Sequence, residues 1–403
     1  MKYVPIPIAL LAVGKPLPVD VWSELGQLLL RRGQPVVSEQ HKEKLVSFNA
    51  GTTPGDALAW QRAYERMVYA MMREGVDLTD IANATMPSEI REMDYVVGQE
   101  AKGGWLDLQA MLRGILYQGG LAMNPAGRLE GIKTRALALL QENPDDSLFC
   151  LYQALSDEAL GYCATHALLC FVICELTGQK LGWGLAHREP LHAAALTMNI
   201  AMAREQDRMA RQSAPLSVWH RTLIQEHPER SVAVLAGFGW DEADLVDIVR
   251  WHHSPEEPMS MPRNLGRRRL LSLADSFVAQ TAARKTRFAR PAVNAVKSMV
   301  MAAQGDALGV SSAMAQAVGF YPPGSYVRLA NGDTAVSVQR GLRANTPWVI
   351  SIADKDNVPM NAYICRDSAT PQYAIQTPVT FENIRVAVQV EKVRRARERI
   401  QRP

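Results

Sequence analysis

From residue 147 to residue 318 the chain is almost continuously helix-like, and this stretch constrains the fold more than any other feature. Its interruptions are short turn signals: GQKLGWG at 178–184, SAPLS at 213–217, GFGWDE at 237–242 and PEEPMSMP at 255–262. A run of that length, broken only by turns, predicts one all-α domain. After GFYPPG at 319–324 the pattern changes to alternating strand segments, the first two joined by Asn331-Gly332, a strong hairpin signal. The expected class is therefore α+β and multidomain, with a helical domain flanked by strand-rich modules.

At 403 residues the chain exceeds one ordinary core. Residues 1–50 mix β-favouring runs with Pro and Gly and read as a strand-rich N-terminal module, whose opening MKYVPIPIALLAVG is expected to form a first strand rather than a signal peptide. GTTPGD at 51–56 leads into a helical connector over 51–145. NPDD at 143–146 marks the start of the all-α domain, 146–318, with Asp145 or Asp146 as its expected N-cap. A β-rich module over 319–403 ends in VRRARERIQRP, expected to be a solvated, partly frayed basic tail. Packing of the two β modules on each other is one arrangement open to the sequence.

Hydrophobic residues at 47% and charged residues at 21% describe a folded protein, not a disordered one. A net charge of +3 gives no global field that would draw nucleic acid or a membrane surface. The longest apolar run, ALLCFVICEL at 167–176, is half the roughly 20 residues that a bilayer span needs. Five cysteines (Cys150, Cys163, Cys170, Cys174, Cys365) form no CxxC pair, so a reducing cytoplasm is the expected location. Cys163, His166, Cys170 and Cys174 line one helix stripe, but a single helix cannot wrap a tetrahedral ion, and core packing is the expected role.

The chemistry-bearing feature is a series of histidines within the helical stretch: His166, His227 before Pro228, adjacent His252 and His253, then Asp275. Imidazoles and a carboxylate converging inside a helical bundle suit a divalent metal, which exchanges water for preformed lone pairs. In its order of landmarks, 150–318 resembles the HD-GYP family of bacterial cyclic di-GMP phosphodiesterases, a branch of the HD metal-dependent phosphohydrolases. The resemblance implies an HD-type helical domain. It also implies that the His-Asp signature should fall on ALTMNIAM, where Met198 stands for the His and Asn199 for the Asp. Tyr162 takes the place of the acidic ligand one turn before His166, Met202 replaces the signature Lys, and no Gly-Tyr-Pro follows His253.

The signature Asp implied by the family bridges two metal ions. Asn in its place is neutral, and a methionine sulfur is a poor ligand for hard metals, so the binuclear centre is expected to be lost. Three roles stay open for His166, His227, His252, His253 and Asp275: one divalent metal (Fe, Mn or Zn) on the imidazoles of His227, His252 and His253 with Asp275 or water completing the site, a metal-free phosphate pocket, or structural hydrogen bonds. Arg284 and Arg287, three apart in ARKTRFAR, are expected to share a helix face, either as a phosphate clamp at the position where the family places its basic one or as a solvated basic helix end. Together these readings suggest a catalytically inactive, cytoplasmic regulator in cyclic di-GMP signalling. Its partner would be the nucleotide or a signalling protein, with no resident cofactor required and a homodimer compatible. The alternative is a residual metal-dependent phosphohydrolase.

Overall fold

The computed structural model describes residues 3–91, 94, 103–122, 124–157, 160–283, 285, 287–384 and 386–400, with the Pro54 side chain left aside. Two units are distinguished: residues 1–101 with 117–125, and residues 102–116 with 126–403. The stretch read as one helical connector, 51–145, is therefore divided between them.

The first unit holds β1 (Val4–Pro5), β2 (Val21–Trp22), β3 (Leu28–Leu30), α1 (Glu39–Ser47), β4 (Gly51–Thr52), α2 (Pro54–Arg73) and α3 (Leu78–Ala82). The strands form an antiparallel sheet in the order β1-β4-β2-β3. Ser38 and Thr53 start α1 and α2 by accepting from the backbone N–H three residues on, which satisfies donors that have no partner within a helix. Trp60 is buried against the strands among Val21, Val36 and Ala59, and its indole N–H donates to the Pro87 carbonyl at 2.8 Å.

The second unit begins with most of α4 (Trp105–Gln118) and continues through α5 (Pro125–Glu142), α6 (Pro144–Leu155), α7 (Tyr162–Lys180) and α8 (Leu185–Thr197). A 3-10 turn (Ile200–Met202) leads to α9 (Ala203–Arg211), α10 (Val218–Gly237), α11 (Ala243–Arg250), α12 (Leu265–Thr281), α13 (Ala292–Ala302) and α14 (Asp306–Val318). Then come β5 (Tyr326–Leu329), β6 (Thr334–Gln339), β7 (Trp348–Ala353), β8 (Cys365–Asp367), β9 (Ile375–Val379) and α15 (Val390–Arg397). The α+β class holds. α7 is its axis: every residue from Tyr162 to Gly178 is buried, as expected of a helix apolar all round, and α6, α8, α9, α12 and α14 pack against it.

Strands β5 and β6 pair across the Asn331-Gly332 turn, where Gly332 takes φ +89°, and the antiparallel sheet runs β8-β7-β6-β5-β9. The N- and C-terminal β segments thus build two separate sheets. Phe149 of α6 packs on the second sheet with Val336, Ile350 and Val393.

Two expectations at this junction are corrected. Asn143, not an aspartate, caps α6, accepting from Asp146 N–H at 2.9 Å. The basic tail is not frayed over its first turns: Arg397, 7% exposed, and Arg394 reach Asp146 at 2.6 and 2.9 Å. Asp146 is kept for these long-range ion pairs, and Asp145 binds Arg340 at 2.6 Å. The tail's Arg residues are basic because they meet a half-buried carboxylate; burial raises that carboxyl, and the Arg394 and Arg397 hydrogen bonds outweigh it and lower it.

Candidate metal centre

His227 lies within α10, directly before Pro228. Proline has no N–H, so the Ile224 carbonyl four residues back loses its helical donor. The His227 ring fills the gap: Nδ1 donates to Ile224 O at 2.7 Å. His252 repeats the device at the end of α11, where the last carbonyls of a helix lack partners, and its Nδ1 donates to Val249 O at 2.7 Å. A carbonyl only accepts, so in both rings the proton sits on Nδ1 and the Nε2 lone pair is left available.

These two Nε2 atoms face each other at 3.3 Å. Helices α10 and α11 pack together and bring the rings to a centroid distance of 5.2 Å, and His253 completes the cluster at 4.1 Å from His252 and 5.0 Å from His227. One nitrogen from each of the three rings can be chosen so that all lie within 4.8 Å of one another. His227 and His252 are fully buried, whereas the His253 side chain is 43% exposed, so the cluster opens to solvent on the His253 side. Burial pushes the His227 imidazole down to about 4 and that of His252 to about 3, with neighbouring His253 adding to both shifts. Both rings are therefore neutral donors at physiological pH.

The loop after His253 is pinned rather than loose. Arg268, 2% exposed on α12, donates to the carbonyls of Pro255 and Met261 and pairs with buried Asp247 at 2.6 Å. Asp247 also accepts from Met261 N–H at 2.7 Å.

His166 and Asp275 do not enter the three-imidazole cluster as equals. His166 Nε2 binds Asp275 Oδ1 at 2.8 Å, and His166 Nδ1 meets the Tyr162 hydroxyl at 2.8 Å. Burial alone would raise the Asp275 carboxyl, but the His166 hydrogen bond and the nearby imidazoles of His252 and His253 hold it well below the usual carboxylate range. With the carboxylate ionised, His166 Nε2 carries the proton and Nδ1 accepts from Tyr162, so both ring nitrogens are engaged. Asp275 Oδ2 lies 3.9 Å from His253 Nδ1 and ties this pair to the open edge of the cluster.

The start of α7, which carries Tyr162 and His166, is held by buried Asp207, which accepts from Cys163 N–H at 2.6 Å and pairs with Arg113 at 3.4 Å. Gly161 makes room for this: at φ +87°, a Cβ there would stand 2.6 Å from Arg113 Nε and 2.8 Å from Asp207 Oδ2.

Met198 and Asn199 follow α8 directly and are buried, at 1% and 6% exposure. Met202 packs with Met209 and Leu223 in an apolar cluster. Of the expected phosphate pair, Arg284 lies outside the described residues. Arg287 corrects the shared-helix expectation: α12 ends at Thr281, and Arg287 donates to the Ala279 carbonyl in its last turn. Its basic character has a local use there, because helix C-termini leave carbonyls and partial negative charge unpaired. The roles of Tyr162 and Asp207 went unread in sequence, since each depends on a partner whose position local spacing does not reveal. The Pro228 signal was available in the His-Pro dipeptide.

No family model matches the chain, and no curated protein matches it. Among solved structures it is similar to Bd1817, a HDG"Y"P protein from Bdellovibrio bacteriovorus, at 13% sequence identity, with 77% of this chain and 98% of that chain covered and a TM-score of 0.39. Among the described residues, no helix is long and apolar enough to cross a membrane.

Proposed function

We propose that the second unit contains an HD-type domain that holds one divalent metal ion on His227, His252 and His253 and does not hydrolyse phosphodiesters. In this reading it serves bacterial cyclic di-GMP signalling as a nucleotide receptor or a protein-interaction scaffold. The observation that carries the proposal is the division of labour between the two histidine groups. His227 and His252 turn free lone pairs toward each other, whereas His166 and Asp275 are consumed by one another and by Tyr162. Two-metal hydrolysis needs carboxylates to bridge and neutralise both ions. Asp275 is already bonded to an imidazole, and Asn199 and Met198 stand where the family resemblance puts the signature pair.

The facing pair of imidazoles fits one edge of a site for a single borderline dication. In a tetrahedral site with metal–nitrogen bonds of about 2.0–2.1 Å, neighbouring nitrogens lie about 3.3–3.4 Å apart. The 3.3 Å between the facing Nε2 atoms matches one such edge. When bound, such an ion would supply Lewis acidity at the open His253 side. The chain's own residues supply the rest: Ile224 and Val249 carbonyls fix the ring tautomers, and Asp275 provides negative charge at the rim.

A second reading, a residual phosphohydrolase with one metal, is favoured by that solvent-open edge, where His253 and Asp275 together reach the surface. Incubation of chelator-free protein with cyclic di-GMP, followed by product analysis and calorimetry, separates the readings. The expected result is no linear product over many hours. Heat of binding then assigns the receptor form and its absence the scaffold form. Multiple turnovers, abolished by His252→Ala, would replace the regulator with the hydrolase.

A further inference from the structure

We propose that the second sheet carries a binding site for a small organic anion, a carboxylate or a phosphate ester with a short apolar tail, on Arg328 of β5 and Thr334 of β6. The site stands apart from the metal reading and does not rest on it. Arg328 and Thr334 are direct cross-strand partners, and alternation puts them on the same side of the sheet as Tyr326 and Val336. That side is the core face: Tyr326 is 5% exposed and Val336 fully buried, both packed with Ile350 and Ile352. An apolar pair would continue the core by one row. An arginine and a threonine stand there instead.

Arg328 is partly buried, and its Nη1 donates to the Gly332 carbonyl at the turn of the same hairpin at 2.9 Å. It makes no ion pair among the described residues. By contrast, Arg268, Arg340 and Arg397 of the same unit each meet a carboxylate at 2.6 Å. A guanidinium partly withdrawn from water without an opposite charge is costly. The bond to Gly332 uses one nitrogen only. Nε and Nη2, which have no hydrogen bond among the described residues, form the fork that grips a carboxylate or phosphate through two parallel bonds. Opposite them, Thr334 is 5% exposed and its hydroxyl has no hydrogen bond among the described residues.

A cavity of about 350 Å3 is lined by both side chains. That is many times the roughly 10–15 Å3 that one water needs, so a molecule of several heavy atoms fits. Asn357, after β7, and Asn383, after β9, add neutral hydrogen-bonding groups, and Ile352, Ile384 and Val386 add branched aliphatic wall. Among the described residues no carboxylate lines it. One cation with no acid beside it selects an anion over a metal ion, and the aliphatic wall selects an anion that carries an apolar tail.

The test is a ligand-detected NMR titration of the full chain with isovalerate and with phenyl phosphate, beside isovaleramide as the neutral counterpart. At least one anion is expected to bind with a dissociation constant of about 1 mM or tighter, and the amide about tenfold more weakly or worse. The tighter anion assigns the headgroup. Arg328→Gln is expected to weaken anion binding about tenfold or more, and Thr334→Val, equal in shape, about fivefold. If the Gln variant does not fold, the Val variant decides alone. Wild-type affinity in the folded variants, equal binding of the amide, or no binding of either anion at about 10 mM would overturn the site.

Discussion

His227 and His252 turn their Nε2 atoms toward each other at 3.3 Å while each ring spends its Nδ1 proton on a backbone carbonyl. Two buried lone pairs in contact repel unless a cation lies between them. Protonation is the costly way to supply one, because burial pushes these rings down to about 4 and about 3.

That cost should appear as a pH dependence of stability in the metal-stripped protein. An unfolded chain protonates these histidines near their ordinary value of about 6.5, whereas the folded chain resists until well below it. Stability is therefore complete above about pH 6.5 and falls as pH drops toward the folded values, by on the order of 2 kcal/mol per histidine at pH 5. Urea unfolding at pH 7.5 and pH 5 measures it, and His252→Leu should flatten the profile. Equal slopes in both proteins would mean that other groups carry the acid sensitivity.

Pro228→Ala should separate stability from metal affinity. Alanine restores the N–H that the Ile224 carbonyl lacks and removes a proline from the helix interior, so thermal stability should rise, by about 1 kcal/mol or more. The same N–H competes with His227 Nδ1 for that carbonyl and loosens the tautomer, so metal affinity should fall about tenfold. A variant that gains stability and keeps its affinity would show that the His227 orientation is set elsewhere.

What sequence could and could not show follows from distance along the chain. The helical domain, the Asn331-Gly332 hairpin and the order of histidines are local patterns, legible as periodicity and dipeptides. The His227–Ile224 bond is equally local, because Pro228 creates it. By contrast, His166 meets Asp275 across 109 residues and Asp146 meets Arg394 across 248, and no spacing rule reaches that far. Arg287 fell on the wrong side of a boundary: the helical pattern continues past Thr281 in sequence, but the chain leaves the helix and returns Arg287 to cap it. Tyr162 was legible as a departure from the family pattern, but its hydroxyl's service to His166 was not.

The tail contact makes a prediction of its own. Asp146 binds Arg394 and Arg397, and Arg397 also stands over the Phe149 ring at 5.2 Å. Asp146→Asn removes the charge and leaves Arg397 buried, which should cost about 2–3 kcal/mol. Hydrogen exchange over 390–397 should rise more than over α7. Unchanged exchange in that helix would show that Val393 and Ala396, not the ion pairs, hold it in place.

The most direct measurement is metal content set against hydrolysis. Protein purified without chelators and loaded with Zn2+, Fe2+ or Mn2+ in turn should hold one equivalent, lose it in His227→Ala or His252→Ala, keep it in His166→Ala, and leave cyclic di-GMP intact. Two equivalents of metal together with turnover of cyclic di-GMP would contradict the one-metal, non-hydrolytic centre.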